Sequence, residues 1–105
     1  MDTVKFRKEV TEDVRGKVRE FMQAKAVCEA MAGVAAPIGD LYAYLLEEGF
    51  YMTMHAYGFE IMTLADWVKE EIKRYPDQHS RDIIRRHLVE HGVSEEKADE
   101  LMKEA

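Results

Sequence analysis

Residues 49–59 read Gly-Phe-Tyr-Met-Thr-Met-His-Ala-Tyr-Gly-Phe, and the fold class turns on how they are read. The run is uncharged, rich in aromatics and methionine, and contains a glycine near each end. Such a short apolar run suits either a buried helix or a strand, because periodicity alone does not separate them. The stop and start signals on both sides are helical, so Phe50 to Tyr57 is read as a short buried helix.

Upstream, Pro37, Gly39 and Asp40 make a turn. A helix follows with Leu41, Tyr44 and Leu45, and Gly49 ends it. Downstream, Gly58 before Phe59 has the form of a glycine C-cap followed by an apolar contact. Thr63 with Asp66 three residues on caps a helix from Leu64 to about Tyr75, whose inner face is Leu64, Trp67, Val68 and Ile72. Pro76 prevents its continuation. Ser80 can cap the next helix, with Ile83, Ile84, His87 and Leu88 turned inward. Gly92, Val93 and Ser94 then repeat stop, contact and cap. Glu95 and Glu96 favour the following N-terminus, and Ala98, Leu101 and Met102 form an apolar face.

At the other end, Thr11 caps a helix with the row Val10, Val14, Val18, Phe21, Cys28 and Ala32, and Gly33 is its stop. Gly16 within it costs up to about 1 kcal/mol relative to alanine. Val4 and Phe6 alternate with Lys5 and Arg7, as in a short strand or an extended lead-in. The expected fold is therefore all-α: a helical bundle of five or six helices in one compact domain over 1–105, with a possible short extended N-terminal segment.

From Ala26 to Val68 there is no lysine or arginine, although the chain carries 15 basic residues elsewhere. This segment holds 29 apolar residues in 43, seven of the ten aromatics, and six acids: Glu29, Asp40, Glu47, Glu48, Glu60 and Asp66. Long cationic side chains are the usual solvating residues of helix surfaces. A segment without them is either core or covered by something else.

A net charge of −6 argues against general nucleic-acid binding. The longest uncharged runs are too short to span a bilayer. The N-terminus lacks an apolar signal region. The single cysteine, Cys28, allows no intrachain disulfide and suits a reducing compartment. A cytoplasmic protein is expected.

Three constellations bear on chemistry. His87-Leu88-Val89-Glu90-His91 matches the H-x-x-E-H zinc pattern, with two histidines on one helix face. A third ligand would have to come from Glu95, Glu96 or Asp99 bending back, and only 14 residues follow, which would make an unusual peptidase. The commoner meaning is a core histidine, His87, and a C-terminal dipole partner, His91. Second, His55, Glu60 and Trp67 with the neighbouring tyrosines could line a ligand pocket, whereas most such sets are simply core. Third, the helices around Gly92 have a helix-turn-helix outline, but the second is too acidic for a DNA groove. There is no nucleotide, redox or serine-hydrolase motif. No cofactor and no catalytic residue are assigned, and the reading leans away from an enzyme.

The function expected is a small non-enzymatic interaction or regulatory protein. It would bind a protein partner, possibly a basic one, or a second copy of itself as a homodimer. Its contact residues would be Tyr42, Tyr51, Met54, Tyr57 and Phe59. The alternative is a small-molecule or metal site using His55, Glu60 and Trp67, or His87 with His91.

Overall fold

The computed structural model describes residues 3–32, 38–55 and 58–105, with side chains over 4–24, 40–54 and 58–105. Among them run β1 (Thr3–Phe6), α1 (Glu12–Ala32), α2 (Ile38–Glu48), β2 (Phe50–His55), β3 (Gly58–Thr63), α3 (Leu64–Arg74), α4 (Gln78–Glu90) and α5 (Glu95–Glu104). The strands form one mixed sheet in the order β1-β3-β2. β1 runs parallel to β3, with Val4 beside Phe59 and Phe6 beside Ile61. β2 runs antiparallel to β3, with Tyr51 beside Met62 and Thr53 beside Glu60.

The all-α helical bundle expected from sequence is thus corrected to an α/β fold. Phe50–His55 is a strand, not a helix. Gly58 opens β3 instead of closing a helix, with φ of 144°. Val4 and Phe6 belong to a strand. The reason lies in burial on both sides. Alternate residues of a strand face opposite ways, and here both faces of the sheet are covered. Phe50, Met52 and Ile61 join Val10, Val14, Val18, Leu41 and Leu45 in one core. Tyr51 and Met62 face the other, with Leu64, Trp67, Val68, Ile84, Leu88 and Leu101. A strand covered on both faces shows no polar alternation, and its sequence reads as a plain apolar run.

α1 packs on the first face and α3, α4 and α5 on the second, while α2 serves both. Leu41 and Leu45 enter the first core, and Leu46 and Tyr42 the second. α2 therefore packs against β2 at the side of the sheet, consistent with Met52 being only 5% exposed on an outer strand.

Local signals hold where they are helical. The Thr63 hydroxyl accepts from the Asp66 N–H at 3.1 Å, and the Ser94 hydroxyl accepts from the Lys97 N–H at 3.1 Å. The N-cap of α4 is Asp77, whose carboxylate accepts from the Ser80 N–H at 2.9 Å, so Ser80 lies one turn inside. Ile83, expected inside, faces out at 47% exposure. Gly33 and Cys28's side chain lie outside the described parts.

Two glycines predict opposite responses. Gly49 turns the chain from α2 into β2 with φ of 92°, and nothing lies within 4 Å of an added Cβ. Gly49→Ala meets only backbone strain and should destabilise by more than about 1 kcal/mol. Gly16 sits inside α1, where a Cβ also meets nothing. Gly16→Ala should stabilise by up to about 1 kcal/mol. Urea unfolding of the two variants checks both signs.

Candidate functional site

Two features meet at Trp67, the residue that α3 sends onto the sheet. On one side is an aromatic and histidine cluster. Tyr42 comes from α2, Tyr51 from β2, Trp67 from α3, and His87 and His91 from α4. The rings of Tyr51 and Trp67 stack, with centroids 4.0 Å apart and planes 11° apart. Tyr42 meets Tyr51 edge to face at 5.4 Å. Both hydroxyls converge on His87 Nε2, that of Tyr51 at 2.9 Å and that of Tyr42 at 3.0 Å. His91, one turn on, lies with its ring centroid 4.4 Å from that of His87.

A neutral imidazole presents either one lone pair or one N–H at Nε2, so the two hydroxyls share a single site on the ring. Burial pushes Tyr42 well above the usual phenol range and raises Tyr51 as well. Burial, and then the neighbouring His91, holds His87 below the usual histidine value, while Glu90 opposes this in part. The cluster is therefore a neutral hydrogen-bonded joint between α2, β2 and α4. A metal at Nε2 of His87 would have to displace both hydroxyls. No group of three or more histidine, cysteine or acidic side chains is placed to hold a metal among the described residues.

On the other side of Trp67 is a groove of about 260 Å³ between β2, β3 and α3. Met62 and Trp67 form its floor, Thr53 and Met54 lie along β2, and Glu70, Glu71 and Arg74 line the α3 wall. Arg7, just beyond β1, closes it. Its Nη2 donates to Glu70 at 2.8 Å and its Nε to Glu60 at 3.1 Å, with Asp66 at 4.0 Å. These carboxylates hold the guanidinium firmly protonated. Glu71 differs. Its ion pair, with Arg74 at 3.8 Å, is too long for a hydrogen bond.

Of the residues singled out from sequence, Tyr42, Tyr51, Trp67, His87 and His91 come together in the joint, and Met54, Glu60 and Trp67 in the groove. Phe59 pairs with Met54, and both take the first-core face, opposite Glu60, so Met54 meets the groove only at its rim. Tyr57 and the His55 side chain lie outside the described parts. Arg7, Glu70 and Glu71 were missed. Nothing local marks them, because the groove is assembled by parallel pairing of β1 with β3 across more than fifty residues.

No family model, no curated protein and no solved structure matches the chain. No helix among the described residues is long and apolar enough to cross a membrane.

The joint predicts a pH dependence. The folded state holds His87 below its unfolded value of about 6.5, so the unfolded chain binds the extra proton first. The stabilisation is complete above that value and is lost as pH falls through the folded one. Wild-type protein should lose more of its urea midpoint between neutral and mildly acidic pH than His87→Gln, in which this titration is gone. Equal losses in the two proteins would remove His87 from the account.

Proposed function

We propose that this chain is a small, non-catalytic interaction protein that docks a protein partner at the groove beside Trp67. The observation that supports the reading is Met54. It is 71% exposed, against 49% for Tyr75 and 47% for Ile83, the other exposed large hydrophobic residues among those described. By strand alternation it takes the Met52 and Phe59 face of the outer strand, and it borders the rim of a groove whose floor and charged walls lie on the other face. An exposed apolar group beside a concave, partly polar surface is the form of a contact site.

The apolar richness of the central segment does not itself require a partner. Two cores on opposite faces of the sheet absorb most of its described apolar residues. What they leave exposed among the described residues is a small patch, suited to a transient contact. Partner binding is accordingly placed ahead of self-association. A cytoplasmic setting belongs to the same proposal and rests on the single cysteine. The joint of Tyr42, Tyr51 and His87 gives less support to a ligand site, because both hydroxyls already pair with Nε2.

The test compares Met54→Asp with Ile83→Asp. Both sites are exposed, so both variants should keep the wild-type circular dichroism spectrum and melting temperature. A partner captured from the source cell should be retained by wild type and Ile83→Asp, and weakened at least about tenfold by Met54→Asp, a change of about 1.4 kcal/mol. Undiminished capture by Met54→Asp would sink the docking reading. Light scattering that shows a stable dimer at micromolar concentration would restore self-association in its place.

A further inference from the structure

We infer that the groove recognises a guanidinium side chain, presented by a basic segment of the partner and received by Glu71. The inference rests on the docking reading above and specifies its chemistry. Its first support is size. At about 260 Å³ the groove falls just below the range of about 300–1,000 Å³ typical of small-molecule pockets. It is suited to one long side chain. The second support is the pairing of surfaces. A floor of Met62 and Trp67 suits the aliphatic stem of an arginine, while a carboxylate wall suits its head.

The third support is the charge arrangement. Glu60 and Glu70 already hold one guanidinium, that of Arg7, with hydrogen bonds of 3.1 and 2.8 Å. The groove thus displays in its own structure the type of group its walls bind. Glu71 is the carboxylate left over. Its side chain is 23% exposed, and its contact with Arg74 at 3.8 Å is loose. The Arg74 side chain is 65% exposed and can move into solvent as an incoming arginine takes its place. Counting Glu60, Asp66, Glu70 and Glu71 against Arg7 and Arg74, the surroundings keep a net negative charge. The centre of the chain supplies no lysine or arginine of its own to compete.

The probes are acetyl-Leu-Arg-Leu-amide and the same peptide with citrulline, a neutral isostere, in place of arginine. Trp67 is the single tryptophan, so its fluorescence reports on the groove floor directly. The arginine peptide should shift that emission and the Met54 methyl resonance at millimolar concentration. It should bind at least about tenfold more tightly than the citrulline peptide, and added salt should weaken it. Glu71→Gln should reduce it to the citrulline level. The inference is overturned if the two peptides bind alike, if Glu71→Gln binds as wild type does, or if the arginine peptide causes no shift. The partner assay separates the two layers. A partner lost by Met54→Asp but held by Glu71→Gln leaves docking standing and removes the guanidinium. A partner held by Met54→Asp removes docking itself, whatever the peptides do.

Discussion

Ile61 and Met62 are neighbours in the chain, and both are withdrawn from water, Ile61 wholly and Met62 to 2%. They face opposite sides of the sheet. This double burial of the central strand is the constraint on which the structure rests. β3 must have apolar layers above and below it, so helices are required on both faces. α1 supplies one layer, the α3, α4 and α5 group supplies the other, and α2 reaches both. The flanking strands are held to β3 from either side, one parallel and one antiparallel.

The same constraint explains the composition. Lysine and arginine are absent from Ala26 to Val68 because most of that stretch is α2, β2, β3 and the start of α3, the elements nearest the two cores. Acids remain where the chain reaches the surface: Asp40, Glu47 and Glu48 on α2, Asp66 at the first turn of α3, and Glu60 against Arg7. The first turn of a helix favours a carboxylate and disfavours a cation, which accounts for Asp40 and Asp66.

The helical part of the fold was legible because its signals are local. Thr63 and Ser94 caps, Gly49 and Gly92 turns, and the inward rows of α1, α3 and α5 each depend on residues a few positions apart. The sheet was not legible. Recognising Phe50–His55 as a strand from alternation requires one face to be wet, and over Phe50, Tyr51 and Met52 neither is. Recognising Val4 and Phe6 as its parallel neighbour requires knowing that residues near 5 and near 60 meet. For the same reason the joint was half visible. The tyrosines and histidines could be singled out, but that Tyr42, Tyr51 and His87 share one nitrogen is a consequence of tertiary packing. Arg7 was invisible, since its three acidic neighbours all come from β3 and α3.

The position of α2 at the side of the sheet has a consequence for how the protein can fail. Outer strands are normally guarded against pairing with other chains by lysine, proline or a bulge. β1 has Lys5, but β2, reading Phe-Tyr-Met-Thr-Met-His, has no charge at all. Its guard is a helix rather than a residue, and a guard of that kind can be removed without breaking a covalent bond. Local opening of α2 would bare six uncharged residues of high strand propensity, the composition of a segment prone to cross-β stacking. Protection of this outer strand then rests on one eleven-residue helix rather than on charge carried by the strand itself.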